Sequence, residues 1–250
     1  MQLIRKFMYE LLRIGKAFGL VFAMKYMLYS LIEIRHVVKR KSLSVVDDKF
    51  RGNVLVKVFG HSLQLLGEMM PTIREVLLKN CYGFDARKSY SAIVDLGANR
   101  GVFSVIAAKC AQRVISIECN EAEFAYKFRT IMRMNNVTNT TLISKFAASS
   151  CDRNNITMNQ ILSQYCLKEV AFLKIDIEGA EADLFSANLD WLYSTQDISL
   201  EVHPCFGVDT KQIIDTLRRY SFQTSCFNLD KVPLPDFANV PMGYLRATRK

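Results

Sequence analysis

Proline, glycine and paired cysteines are scarce in this sequence of 250 residues. Only 5 prolines and 11 glycines are present, which excludes a fibrous repeat or a low-complexity linker. The seven cysteines are odd in number and show neither C-x-x-C pairs nor the spacing of a disulfide framework. We therefore predict a reducing compartment and buried, mostly unreactive thiols.

A long uncharged apolar run is also missing. The longest runs, residues 17–24 and 26–32, fall far short of the ~20 residues that a transmembrane helix requires. Arg13, Lys16 and Lys25 interrupt the apolar centre that a signal peptide would need. We expect a cytoplasmic protein. The basic segment described next determines whether it also contacts the inner membrane surface.

The excess of positive charge is confined to the start of the chain. Residues 1–41 hold nine Lys and Arg against two Glu, whereas the other 209 residues hold 24 basic and 22 acidic residues. This distribution does not favour nucleic-acid binding by the body. Apolar side chains recur at helical spacing, at Ile4, Phe7, Leu11, Ile14 and Phe18. A helix packed on the body explains this pattern, and so does an interfacial helix on anionic lipid or a helix docked on a partner helix.

The remaining chain changes character twice. Residues 51–90 contain a predicted hairpin and a short helix, and from residue 91 strand-like runs alternate with helical ones. Such alternation is typical of βαβ units and a parallel sheet. We therefore predict a basic helical segment at 1–50, a cap or lead-in at 51–90, and a ligand-binding domain at 91–250.

A glycine turn follows the first strand of that domain. Asp95 precedes Gly97 and Gly101, which permit a tight turn and a close helix start. The spacing is not the G-x-G-x-x-G of dinucleotide sites, and the acid favours a ligand with a cationic or amine-bearing end. Glu118 ends the second strand, where a carboxylate binds ribose hydroxyls. Ala147 follows the third strand and could flank an adenine, although a turn and loop without a ligand explain the same residues.

Ionisable residues alternate along two later strands. Lys174, Asp176 and Glu178 alternate with isoleucines along the strand predicted at 170–177 and just past its end, and Glu201 and His203 flank Val202 in the next strand. Central parallel strands are normally apolar on both faces. An active-site cluster at the carboxyl edge explains the pattern, and an ion network that satisfies itself is the alternative.

Two segments resemble the FkbM family of S-adenosylmethionine-dependent methyltransferases. They are residues 94–101, VDLGANRG, and residues 173–181, LKIDIEGAE, together with the E-x-H triplet from Glu201 to His203. The resemblance implies an α/β class I methyltransferase (Rossmann-like) fold. This fold has a seven-stranded, mostly parallel sheet with helices on both faces and an antiparallel last strand, here residues 244–248. The resemblance also implies O-methylation of a hydroxyl on a sugar, glycan or secondary metabolite.

The resemblance also implies roles for single residues. Asp95 and Asp176 would flank the methionine end of the cofactor, the turn would contact it through backbone, and Glu118 would hold the ribose. The predicted cofactor-binding set is Asp95, Gly97, Ala98, Asn99, Gly101, Glu118, Ala147 and Asp176. The predicted catalytic set is His203, Glu201, Glu178 and Asp176, with His203 as the usual type of base and Glu201 as its partner.

Several alternatives share these features. Asp176, Glu178 and Glu201 offer oxygen ligands that suit Mg²⁺, but no spacing demands a metal and we expect none. A nicotinamide-dependent oxidoreductase would share the sheet, and a membrane-associated scaffold would share the whole fold without catalysis. We expect a small-molecule, sugar or glycan acceptor and no nucleic acid, and we predict no oligomeric state.

Overall fold

The computed structural model describes residues 2–40, 42–186, 188–228, 230–235, 237 and 240–249, with the side chains of all of these except 2–6 and 40. Eight residues of the predicted basic segment therefore lie outside the described side chains, namely residues 1–6, 40 and 41, and Ile4 of the predicted apolar face is among them.

Helices precede and flank the sheet. The α-helices are α1 (Gln2–Phe18), α2 (Leu20–Ile32), α3 (Ile34–Arg40), α4 (Ser44–Asp47), α5 (Met70–Thr72), α6 (Val102–Ala108), α7 (Tyr126–Met134), α8 (Met158–Gln164), α9 (Glu181–Leu184) and α10 (Thr210–Arg219). Residues Ile73–Leu78 and Glu121–Ala125 form π-helical turns, and 3₁₀ turns lie at Gly67–Met69, Asp190–Ser194 and Pro204–Phe206. None of the helices in the described ranges combines the length and apolarity that a membrane span needs.

The strands form one large sheet and two small ones. They are β1 (Asn53–Val58), β2 (His61–Leu66), β3 (Tyr90–Leu96), β4 (Ala111–Ile117), β5 (Thr140–Ile143), β6 (Phe146–Ala147), β7 (Asn155–Ile156), β8 (Val170–Ile175), β9 (Thr195–Val202), β10 (Phe222–Phe227), β11 (Pro233–Leu234) and β12 (Gly243–Arg249). The large sheet has the order β11-β10-β12-β9-β8-β3-β4-β5, and β1 pairs with β2 as the predicted hairpin.

Strand order and direction identify the fold. β5, β4, β3, β8 and β9 run parallel, and β12 lies antiparallel between β9 and β10. Without the two-residue edge strand β11, these are the seven strands of a class I methyltransferase, so the predicted fold class is confirmed, including the antiparallel last strand. The edge strand β11 is an addition that the sequence analysis did not predict.

Alternation along the strands separates two cores. Ile93 packs in one apolar cluster, whereas its neighbour Val94 packs in the other. This follows because successive side chains of a strand point to opposite faces of the sheet. The cluster around Ile93 also contains Ile14 and Tyr26, so α1 and α2 pack on the same side as the β1–β2 hairpin.

Two sequence predictions need correction. Four thiols are exposed, not buried: Cys119, Cys151, Cys166 and Cys205. The predicted strand at 170–177 ends at Ile175, because the chain turns at Glu178 and Gly179, whose φ angles are 51° and 100°.

Candidate active site

The turn between β3 and α6 requires glycine. Gly97 has φ 77°, and a Cβ there would collide with the Asp176 carbonyl oxygen. Gly101 has φ 86° and begins α6, and a Cβ there would lie 2.8 Å from the Phe128 ring. Both positions thus combine a left-handed backbone with a close approach that any larger residue would disturb. The turn also includes Asn99, at φ 50°, and Ala98, which is buried.

Glu118 ties this turn to the end of β4. Its carboxylate accepts hydrogen bonds from the backbone N–H groups of Asn99, at 2.7 Å, and Asn120, at 2.8 Å. The side chain is nearly buried at the carboxyl edge, where the sequence analysis expects ribose. Contact with ribose stays a prediction. Ala147 is also nearly buried, in β6, and no described hydrogen bond joins it to Glu118 or the turn.

Asp95 lies beneath the turn and has no exposed surface. It accepts a 2.5 Å hydrogen bond from Ser104 Oγ and pairs with Lys174 Nζ at 3.2 Å. Burial raises the pKa of Asp95, whereas Lys174 and Ser104 oppose this shift. Asp95 therefore faces Lys174 and Ser104, and its predicted place beside the methionine end of the cofactor stays a prediction.

Lys174 connects Asp95 with the strand ends. Its Nζ donates to the carbonyl oxygen of Gly97 at 2.6 Å and lies 3.6 Å from Asp176 Oδ2. The backbone N–H of Asp176 in turn donates to the Leu96 carbonyl at 3.0 Å. The buried ammonium thus holds the turn after β3 and the turn after β8 in one arrangement.

Tyr82 brings two predicted acids together. Its hydroxyl lies 2.8 Å from Asp176 Oδ2 and 3.3 Å from Glu201 Oε2. Burial, with the nearby charges of Asp176 and Glu75, raises the pKa of Glu201 to about 8. A tyrosine hydroxyl has one proton to donate. The Tyr82 hydroxyl can therefore donate to only one of the two acids at a time, and its shorter contact is with Asp176.

His203 is held by an acid that the sequence analysis did not assign. Its Nδ1 lies 3.0 Å from Glu181 Oε1, whereas its Nε2 lies 3.5 Å from Glu178 and 3.8 Å from Glu201. The hydrogen bond with Glu181 raises the pKa of His203 above its ordinary value. The fully buried Glu181 thus occupies Nδ1, whereas Glu201 lies on the Nε2 side of the ring, and the predicted partnership of Glu201 with His203 stays a prediction.

The chain turn after β8 delivers these acids to different places. Glu178 is exposed over 76% of its side chain, whereas Glu181 begins α9 and is buried. Gly179 permits the turn, since a Cβ there would lie 2.9 Å from Phe206. The Phe206 ring stacks on His203 with centroids 5.7 Å apart. The sequence signal that could have identified Glu181 is its place in the motif of residues 173–181, three residues after Glu178. Tyr82 belongs to no motif, so the sequence offers no signal for it.

Three of these residues also have the geometry of a cation site. Asp176, Glu178 and His203 each offer one ligand atom, and these atoms lie within 4.8 Å of one another. Two carboxylates and an imidazole suit a divalent transition metal better than Mg²⁺, which prefers an oxygen shell. The sequence prediction of no metal stays a prediction.

Comparison with known families agrees with the motifs. Residues 121–224 match the model of the methyltransferase FkbM domain. This range contains Asp176, Glu178, Glu181 and His203, and it leaves out the glycine turn and Glu118. No curated protein matches the chain.

Solved structures with a similar fold include three bacterial proteins. Methyltransferase FkbM from Methylobacillus flagellatus KT is 15% identical with a TM-score of 0.46, and the match covers 64% of this chain and 44% of that one. SMU.1697c from Streptococcus mutans, in complex with SAH, is 13% identical with a TM-score of 0.47, covering 69% and 97%. An rRNA methylase from Streptococcus thermophilus is 12% identical with a TM-score of 0.48, covering 68% and 93%.

The fold assignment rests on strand order and not on these neighbours. The fold and the matched domain are those of S-adenosylmethionine-dependent methyltransferases. The sequence predictions of the family resemblance, the methyltransferase class and the cofactor are confirmed at this level.

Proposed function

We propose that the protein is an O-methyltransferase that acts on a hydroxyl of a sugar, glycan or secondary metabolite. The pairing of His203 with Glu181 carries the proposal. A histidine whose Nδ1 is held by a buried carboxylate keeps its other nitrogen ready to accept a proton, and an unactivated hydroxyl needs such a base. His203 Nε2 faces Glu178 and Glu201 at the carboxyl edge of the sheet.

Each part of the site then has a defined task. Bound S-adenosylmethionine supplies an activated methyl group on its sulfonium. Glu118 and the backbone of the Gly97–Gly101 turn hold the nucleoside part, and Asp176 lies toward the methionine end. His203 Nε2 takes the proton of the acceptor hydroxyl as the oxygen–methyl bond forms and the sulfur–methyl bond breaks. Glu181 stabilises the resulting imidazolium through Nδ1.

Lys174 and Asp95 act as positioning residues in this proposal. Their buried pair fixes the carbonyl groups of the turn and the side chain of Asp176. Fixed geometry matters because alignment of an acceptor with a reactive bond can supply ~7 to 11 kcal/mol of the barrier.

Methyl transfer from labelled S-adenosylmethionine into extracts of glycans, lipids and small metabolites tests the proposal. We expect label in a product that survives mild alkali, as a methyl ether does and a methyl ester does not. His203→Asn should cut the transfer by ~10²- to 10⁴-fold, because it removes the base while nearly preserving shape. His36→Asn is the matched control, since His36 lies on exposed α3. Label on nitrogen or on a carboxyl group would overturn the choice of acceptor.

We also propose peripheral contact between helices α1–α3 and an anionic membrane at its cytoplasmic face. Among the described residues, 12 of the 18 exposed large apolar side chains lie on these helices. We call them the apolar platform: Met8, Tyr9, Leu12, Leu20, Val21, Met24, Met27, Leu28, Leu31, Ile32, Ile34 and Val38. Basic residues accompany them, including Lys25, Arg35 and Lys39. Apolar and basic side chains together suit the surface of an anionic bilayer.

We do not expect a nucleic acid as the methyl acceptor. Outside residues 1–41 the numbers of basic and acidic residues nearly balance, 24 against 22. A nucleic-acid substrate usually requires a basic stripe on the body. The extract experiment tests this expectation directly if an RNA fraction is included.

A further inference from the structure

An apolar pocket lies where α1, α2 and α3 meet the segments around Leu43 and Pro71. Its volume is about 350 Å³, which lies within the range of small-molecule sites, about 300–1,000 Å³. Its apolar walls include Phe7, Val37 and Leu43. This pocket is separate from the residues assigned above to methyl transfer.

The charged groups in the pocket largely neutralise one another. Arg74 Nη1 pairs with Asp47 Oδ2 at 2.6 Å, and Nη2 lies 3.5 Å from Glu10. Tyr26 donates a 2.7 Å hydrogen bond to the second oxygen of Asp47. Arg74 Nε is buried and has no hydrogen-bond acceptor among the described residues. Glu10 Oε2 is likewise buried without a hydrogen-bond donor among the described residues. The pocket therefore presents apolar walls with one unused donor and one unused acceptor, which suits a hydrocarbon chain that carries a group able to accept and donate, such as a hydroxyl or an amide.

The mouth of the pocket is continuous with the apolar platform. Leu31, Ile34 and Val38 line the pocket and are also 59%, 49% and 51% exposed. A hydrocarbon chain could pass from a bilayer under the platform into the pocket without crossing water, which avoids the cost of hydrating it. Lys79 also lines the pocket and makes no ion pair with the described side chains. A cation at this position complements an anionic head group.

One wall of the pocket reaches toward the reaction centre. Glu75 lines the pocket and accepts a 2.7 Å hydrogen bond from the Tyr244 hydroxyl. Tyr244 packs edge-on against Tyr82, with ring centroids 5.8 Å apart, and Tyr82 donates to Asp176. Two aromatic side chains thus separate the pocket from the predicted catalytic acids.

We infer that this pocket binds the hydrocarbon chain of a membrane amphiphile. The chain belongs to a resident lipid or to an acceptor that carries a lipid tail, and both sources share this chemistry. Binding of the hydrocarbon chain can be measured without methyl transfer, so the inference is independent of the proposed function.

The test is a titration of the full chain with cis-parinaric acid, a fluorescent fatty acid, without detergent or vesicles. Val37→Trp fills the pocket and should weaken binding about tenfold or more. Val232→Trp is the matched control, because Val232 lies outside both the pocket and the apolar platform and is 53% exposed. It should bind the probe within about twofold of the native protein.

A second variant guards against misfolding of Val37→Trp. Ile34→Asp places a charge at the half-exposed mouth of the pocket and should also weaken binding of the probe. Its circular dichroism spectrum should stay native. Native affinity in both variants, or no binding of the probe to the native protein, would overturn the inference.

A second measurement distinguishes the two sources of the hydrocarbon chain, a resident lipid and an acceptor with a lipid tail. Lipid that copurifies with the full chain is extracted and identified by mass spectrometry, before and after incubation with methyl-labelled S-adenosylmethionine. Label in the extracted lipid identifies an acceptor with a lipid tail, and unlabelled lipid identifies a resident ligand. Both results support chain binding, and failure of methyl transfer alone would leave the binding result intact.

Discussion

At the scale of single residues, Glu181 controls the protonation of His203. The hydrogen bond to Glu181 raises the pKa of His203 by favouring the imidazolium form. A base must be neutral to accept a proton, so activity should be present above this pKa and lost as the pH falls through it.

Glu181→Gln should therefore move the acidic limb of the kcat profile to lower pH. The neutral amide no longer stabilises the imidazolium, so the pKa of His203 falls toward its ordinary value. Maximal activity should fall as well, because Nδ1 loses its charged partner, but by less than in His203→Asn. Glu123→Gln, on the exposed surface, is the control. An acidic limb at the same pH in Glu181→Gln and the native enzyme would show that His203 is not the base.

The sequence alone identifies the residues at strand ends whose positions follow from periodicity or from a motif. Gly97, Glu118 and His203 all lie where the predicted edge of the sheet required them. It could not assign Tyr82, because this residue comes from the lead-in segment and meets Asp176 only through the fold. Nor could it show that Asp95 is buried, since burial depends on where Lys174 and Ser104 close over it.

At the scale of elements, the β3–α6 turn is the least replaceable part of the site. Gly97→Ala should lower the free energy of unfolding by about 1–2 kcal/mol from its left-handed φ and a further ~1–3 kcal/mol from the collision with the Asp176 carbonyl. Urea denaturation measures this change.

Gly60→Ala is the matched control for the turn. Gly60 has φ 84°, but an added Cβ would meet nothing within 4 Å. The free energy of unfolding should therefore fall only by the cost of the left-handed φ, about 1–2 kcal/mol. Equal losses in the two variants would mean that the Asp176 carbonyl moves aside easily and that the turn is not held tightly.

The helices α1–α3 show what a periodic pattern leaves undecided. The apolar spacing along α1 predicted a helix, and Ile14 and Ala17 are indeed buried against the body. The exposed apolar side chains lie largely on α2, where the same sequence pattern cannot show which face is covered. Only the packing of α1 on the hairpin side of the sheet determines this.

At the scale of the whole molecule, the separation of charge should direct the protein to anionic surfaces. The full chain should sediment with vesicles of phosphatidylserine and phosphatidylcholine and be released by about 1 M salt, where screening is nearly complete.

Val21→Glu with Leu28→Glu should reduce vesicle binding about tenfold or more, because each change removes an exposed apolar group from the platform. Tyr193→Glu with Val232→Glu adds the same charge at exposed apolar positions elsewhere and should bind nearly as the native chain does. Equal losses in both double variants would indicate a general charge effect and contradict docking through α1–α3.

The central claim is that the carboxyl edge of the sheet binds S-adenosylmethionine, and calorimetric titration of the full chain tests it most directly. The native protein should bind in the micromolar range. Glu118→Ala should weaken binding by ~1 to 3 kcal/mol through the loss of charged hydrogen bonds, whereas Glu121→Ala and His203→Asn should leave it unchanged. Absence of binding to the native protein, or unchanged affinity in Glu118→Ala, would contradict the account.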